Sequence, residues 1–236
     1  MNSSNTIAHP LFYSEQAYTK LNIYIKNTKL SKLFILVDSN THNYCLPEFL
    51  SRLENTEELE IIEMEAGEEF KNLETCLGIW NAMSELGGDR KSLLINLGGG
   101  VVTDLGGFVA STFKRGISFI NVPTSLLAMV DASVGGKTGI DLGNLKNQIG
   151  VINQPQLVLI NPNFLETLPS EHMRSGLAEI LKHGLVADEK YWNKISKLKN
   201  LSTEDLPAII KESINIKSTI VAKDPFEENE RKILNY

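Results

Sequence analysis

The chain has 236 residues, 42% of them apolar and 22% charged, which places it among globular proteins and excludes the disordered, fibrous and membrane classes. Its net charge of -6 and pI near 5.3 exclude general nucleic-acid binding, because a phosphate backbone needs clustered Lys and Arg. Cys45 and Cys76 are too few for a disulfide framework and read as core thiols of a reducing compartment. With no secretory leader and no membrane-length apolar run, the expectation is a cytoplasmic protein with no membrane partner.

In chain order, "LFILVD" (33–38), "LEIIEM" (59–64), "SLLINL" (92–97), "ISFINV" (117–122) and "QLVLIN" (156–161) predict strands. Several are apolar throughout, as buried parallel strands are. The intervening "YCLPEFLSRLEN" and "FKNLETCLGIWNAMSELGG" carry helical spacing, the second closing on Gly87 and Gly88. This alternation predicts an α/β layer architecture. Beyond Leu165 strand runs give way to helical patterns, so a boundary is placed there, with an α/β domain over 1–164 and a helical one over 165–236. The last segment, "FEENERKILNY", carries no helix stop signal and reads as interrupted.

The stretch "LLINLGGGVVTDLGGF" is a strand running through glycines into a helix, the arrangement that aims backbone N-H groups and a positive helix end at a phosphate. Gly98 and Gly100 fit G-x-G, but Thr103 stands where a dinucleotide fingerprint has its third glycine. A candidate ribose acid, Asp38, lies before the glycines and points to a strand order unlike the standard Rossmann arrangement. Locally, a cofactor turn and a turn that merely packs a helix on a sheet are both open.

"DASVGGKT" (131–138) falls one residue short of a P-loop, with Asp131 in place of its first glycine. An apparent helix, "SLLAMVD", also separates it from the nearest strand, so Lys137 reads as a substrate lysine rather than a triphosphate lysine. The same loop carries Asp141, Lys146 and Asn147, and is either a solvated surface loop or a holder of a phosphorylated, carboxylated ligand. In "SGLAEILKHGLVA" an apolar stripe of Leu177, Ile180, Leu181 and Leu185 flanks Glu179, Lys182 and His183. Glu179 and His183, spaced i, i+4, are either a metal pair or a surface Glu with a helix-end His. His9 and His42 show no clear partners, and His172 lies in a polar turn.

Six segments in order, "GEEFK", "GGGVVTDLGGF", "VPTSLLAMVDASVGGKTGID", "LKNQIG", "LAEILKHG" and "RKILN", resemble the 3-dehydroquinate synthase family of sugar-phosphate cyclases. The resemblance implies a Rossmann-like NAD-binding α/β domain followed by an incomplete helical domain, with a catalytic metal, Zn2+ or Co2+, in the cleft between. It gives the cofactor Asp38, Glu68, Lys71, Gly100, Val101, Val102, Thr103, Asp104, Thr124, Ser125 and Thr167, with Lys137 and Lys146 also bordering it. Asp131, Lys137, Lys146, Asn147, Lys182, Lys217, Arg231 and Asn235 fall on substrate-pocket positions. Arg115 falls on one that reaches the neighbouring subunit of a homodimer. Glu179 falls on a metal-ligand position and His183 on none.

The implied substrate is a small sugar-phosphate acid, 3-deoxy-D-arabino-heptulosonate 7-phosphate, converted to 3-dehydroquinate and phosphate in the shikimate pathway. The family continues past this chain's last residue with histidines that complete the metal site, so the expectation is that these residues alone are inactive and bind zinc weakly. An apolar helical face left uncovered there would let the chain self-associate. Other readings are a cyclase of the 2-deoxy-scyllo-inosose synthase type, an NAD-dependent polyol dehydrogenase, and a nucleotide-binding fragment without catalysis.

Overall fold

The computed structural model describes residues 10–54, 59–197, 202 and 204–235. A six-stranded sheet forms from β1 (Leu11–Tyr13), β2 (Leu33–Asp38), β3 (Leu59–Met64), β4 (Leu93–Gly98), β5 (Ser118–Pro123) and β8 (Val158–Ile160). Its order is β1-β8-β5-β4-β2-β3 and every pairing is parallel. All five expected strands are present, within two residues of their expected limits. β1 was not foreseen, since three residues carry no readable period. A separate antiparallel hairpin, β6 (Lys137–Leu142) with β7 (Leu145–Ile152), replaces the expected loop after β5.

Helices cover both faces, which is why the central strands are apolar at every position. Leu33, Ile35 and Val37 face one contiguous core, filled by Tyr18 and Leu21 of α1 (Ser14–Asn27), Leu46 and Phe49 of α3 (Leu46–Ser51), and the later helices. Phe34 and Leu36 face a second, filled by Cys76, Ile79 and Met83 of α4 (Leu73–Glu85) and Val102, Leu105 and Val109 of α5 (Gly100–Thr112). The helix expected over "YCLPEFLSRLEN" is shortened to α3, with Pro47 in its first turn, where it needs no N-H, and a separate α2 (Ser39–Tyr44) precedes it. α4 ends as expected, Gly87 taking the left-handed φ of +82°.

After β8 come α6 (Ser170–Ala187), α7 (Glu189–Ile195) and α8 (Leu206–Lys223). The buried face of α6 runs through Gly176, Ile180, His183 and Gly184. It therefore differs from the expected apolar stripe: Leu185 is 67% exposed and His183 wholly buried. The glycines set this phase, because a Cβ on Gly176 would strike Leu126 and one on Gly184 would strike Trp192. Phe226 and Ile233 are also exposed. Among the described residues no helix is long and apolar enough to cross a membrane.

Candidate active site

Strand order puts the candidate cofactor site in the fold. From β2 the sheet grows one way to β3 and the other way to β4, so the carboxyl ends of β2 and β4 flank a crevice of the kind that takes ligands in open α/β sheets. Asp38 ends β2 and Gly98 ends β4. Asp38 also caps α2, its Oδ1 accepting from the Thr41 N-H at 2.7 Å. At the end of β4 an added Cβ on Gly98 would lie 2.5 Å from Val102 Cβ, so only glycine lets α5 start this close to the strand. The N-cap of α5, Gly99, carries no side chain to cap the first turn, and no acidic residue lies there. The N-H groups of that turn are left to face an anion.

The neighbouring strand end supplies Thr124 and Ser125. Thr124 N-H donates to Gly98 O at 2.9 Å, and Ser125 Oγ lies 3.5 Å from the ideal Cβ position of Gly99. Val102 and Thr103 are buried; Thr103 gives both its N-H, at 3.0 Å, and its Oγ, at 3.2 Å, to the Gly99 carbonyl, so it has no donor left for a ligand, and Val102 has only its backbone to offer one. Thr167 is exposed at the end of the 3-10 turn Pro162–Thr167.

Along the inner side of α5, Asp104 accepts from Lys71 Nζ at 2.6 Å, and the same ammonium donates to Asn147 Oδ1 on β7 at 2.7 Å. Lys71 is 4% exposed, so the hairpin is pinned to α5 through a buried charge. Burial pushes the Asp104 carboxyl up to about 6 even though Lys71 pulls the other way. Asn147 takes a φ of +55°, held by its N-H on Asp141 Oδ1 at 2.7 Å, and Lys146 reaches Glu68 at 3.0 Å.

The second half of the site surrounds Asp131, which sits in a one-turn π-helical stretch, Ala128–Ala132, a conformation frequent at functional positions. A Cβ on Gly100 would lie 3.6 Å from Ala132 Cβ, so this turn abuts the start of α5. Asp131 is paired with Lys217 of α8, whose Nζ also donates to the Asp131 carbonyl at 2.6 Å. Burial would raise the Asp131 carboxyl, but the Lys217 ammonium, aided by Lys182 and His183, outweighs it and holds the group at about 2. Burial, with Arg231 and Lys217 nearby, lowers the half-exposed Lys137 ammonium to about 8. Lys137 opens β6 behind Gly135 and Gly136, both at positive φ, whereas a P-loop lysine opens a helix.

Glu179 Oε1 lies 2.7 Å from Lys182 Nζ and 3.2 Å from His183 Nε2, yet makes a well-aligned hydrogen bond with neither. His183 Nδ1 meets Ser213 Oγ at 2.7 Å, which fixes the ring and leaves buried Nε2 without a hydrogen-bond partner. One ligand atom each from Asp131, Glu179 and His183 falls within 4.8 Å of the others. Two orphaned buried atoms in a carboxylate and imidazole set fit a divalent cation such as Zn2+ or Co2+. The i, i+4 pair is therefore brought together, and the surface alternative for His183 fails on its burial.

Lys182 Nζ donates to Leu234 O at 2.6 Å, and the buried Arg231 guanidinium donates to Gly135 O at 2.9 Å and Pro225 O at 2.7 Å. Asn235 Nδ2 donates to Glu227 Oε1 at 2.6 Å. Arg115 stands apart, beyond the far end of α5, roughly 20 Å of helix from the glycine turn. His42 does have a partner, Glu63 at 2.7 Å, His172 lies near Glu171 at 3.8 Å, and His9 lies outside the described residues. Both cysteines are buried free thiols, as expected.

Residues 61–175 match the family described as 3-dehydroquinate synthase N-terminal, and residues 176–236 the one described as 3-dehydroquinate synthase C-terminal. The chain belongs to the 3-dehydroquinate synthase family. It is 41% identical over 220 residues to a 3-dehydroquinate synthase of Parabacteroides distasonis, covering 92% of this chain and 62% of that protein. It is 39% identical over 233 residues to one of Clostridium beijerinckii, covering 97% and 67%. It thus spans about three fifths of the length of many of the curated relatives it matches. Among solved structures, 2-epi-5-epi-valiolone synthase from Streptomyces hygroscopicus subsp. jinggangensis, with NAD+ and Zn2+ bound, aligns at a TM-score of 0.82 and 24% identity, covering 100% of this chain and 67% of that one. That likeness is one of fold.

Proposed function

We propose that the chain carries the NAD-binding crevice and much of the substrate pocket of a 3-dehydroquinate synthase, a carbon-oxygen lyase. Its substrate would be 3-deoxy-D-arabino-heptulosonate 7-phosphate, and its products 3-dehydroquinate and phosphate. The observation that carries the reading is the direct abutment of the glycine turn on the π-helical turn of Asp131, which sets a dinucleotide crevice beside a metal-donor cluster ringed by Lys137, Lys182, Lys217 and Arg231.

NAD+ and a divalent cation supply reversible oxidation of a ring hydroxyl and Lewis acidity. In the crevice the Asp38 carboxylate would accept from ribose hydroxyls, and the α5 N-H groups would be available to the pyrophosphate. Glu179 would hold the cation, with Asp131 and His183 beside it as further donors that the geometry offers although the family resemblance gives neither a ligand position, and Lys137 and Lys146 would supply ammonium groups to the substrate's anions. The hydride taken from the substrate would later be restored to it, so no NADH would accumulate, unlike in a polyol dehydrogenase. A cytoplasmic setting, where NAD and phosphorylated sugars are at hand, and a homodimer bringing Arg115 to a neighbouring pocket complete the proposal.

Titration calorimetry with NAD+ tests it. Saturable binding is expected, about tenfold weaker in Asp38→Asn, which loses a charged acceptor yet still caps α2. A folded chain that takes up no NAD+ sinks the reading.

A further inference from the structure

Glu227 lies between α8 and the 3-10 turn Glu230–Asn235, in the acidic run "FEENE". It takes a φ of +59°, a left-handed conformation that a side-chain-bearing residue keeps only when its surroundings impose it. They do so here. The Asp224 carboxylate accepts from the N-H groups of Glu228 at 2.9 Å, Asn229 at 2.7 Å and Arg231 at 3.0 Å, and Arg231, 2% exposed, ties Pro225 to Gly135.

The loop thereby delivers one carboxylate, 17% exposed, into the pocket. Oε1 accepts from Asn235; Oε2 is ion-paired with Lys137, lies 3.7 Å from Arg231 Nε, and is buried without a well-aligned hydrogen bond. One of its three neighbours, Lys137, is an ammonium that the proposed function gives to the substrate's anions. An isolated surface ion pair contributes too little to hold a strained backbone in place.

We propose that Glu227 is a positioning residue of the substrate pocket: its carboxylate gathers Lys137 and Asn235 around one anion-binding corner and is the group that an oxyanion of the substrate replaces there. This rests on the functional reading above. An incoming phosphate or carboxylate cannot share the corner with Glu227, since two anions at contact repel, so the glutamate sets how tightly the free pocket takes an anion.

The test is calorimetric titration with inorganic phosphate of the chain, of Glu227→Gln, and of Glu227→Gln combined with Lys137→Met, each then titrated with NAD+. Glu227→Gln is expected to bind phosphate roughly tenfold more tightly, the size of one charge-assisted contact freed, and the double variant to lose that gain. A merely structural role would weaken phosphate binding or leave it unchanged, and either result in a folded variant overturns the proposal. Should the glutamine variant fail to fold, Glu227→Gly accepts the positive φ, deletes the carboxylate and carries the same expectation. Phosphate gain without NAD+ uptake would overturn the cofactor reading and support this one; NAD+ uptake without phosphate gain would do the reverse.

Discussion

Gly106 offers a direct test of how α5, and with it the glycine turn, is seated on the sheet. A Cβ there would fall 2.0 Å from Asn96 Oδ1, 2.5 Å from Asn96 Cγ and 3.0 Å from Leu36 Cδ2. Asn96 is fully buried, and its amide donates to Asn121 Oδ1 at 2.9 Å. Gly106→Ala must therefore both crowd α5 against the sheet and disturb the Asn pair. Overpacking costs about 1–3 kcal/mol, and unpairing a buried amide about 1–3 kcal/mol more. The better helix propensity of alanine returns about 1 kcal/mol, for a net loss of about 3 kcal/mol. With a urea m-value near the upper end of the usual range, about 3 kcal/mol/M, the unfolding midpoint should fall by roughly 1 M at constant m. Gly78, in the middle of α4 with nothing within 4 Å of its Cβ position, is the matched control, and Gly78→Ala should raise the midpoint. Adding Asn96→Ala to Gly106→Ala should recover part of the loss by vacating the contested space. A Gly106→Ala midpoint equal to or above that of the unaltered chain would refute the close seating of α5.

Asp104 has its carboxyl raised to about 6, so between about pH 4 and 6 the folded state binds more protons than the unfolded. Stability should fall by about 2–3 kcal/mol as pH rises through that window, and Asp104→Asn should flatten the slope in urea titrations at stepped pH. Lys71→Met removes the ammonium that pulls Asp104 down, so carbon NMR of that carboxyl should show a still higher pKa, with a loss of stability of about 2 kcal/mol. Ser213→Ala frees the His183 ring and should weaken Co2+ binding about 10-fold to 100-fold, read by visible absorption; an unchanged affinity would place the cation elsewhere.

What could be read from the sequence followed burial. β2, β4 and β5 are covered on both faces, so their apolar runs announce them, and Asp38 and the glycines stand out at their ends. The β6-β7 hairpin was missed because β7 is exposed at nearly every position, leaving no alternation to detect, while Gly139, Gly143 and Gly150 mimic loop composition. Burial of His183 depends on Ser213, thirty positions away in another helix, which no local pattern reports. Asp131 was found by its motif, but its π-helical turn was not. Glu227 carried no signal, because its importance comes from a backbone angle that glycine would have advertised and glutamate conceals.

The core on the α1 face holds Ile180 of α6, Tyr191 of α7, and Ile209, Ile210 and Ile214 of α8 together with Ile35 and Ile95 of the central strands. Because those strands also wall the opposite core, the later helices and the sheet are expected to melt together. Amide protons at the heart of β2 and in mid-α8 then exchange through the same large opening, and a cleavage after β8 would not release a self-sufficient nucleotide module with its apolar face intact. The division expected near Leu165 would then be one of chain order, and a single unfolding transition is the expected outcome.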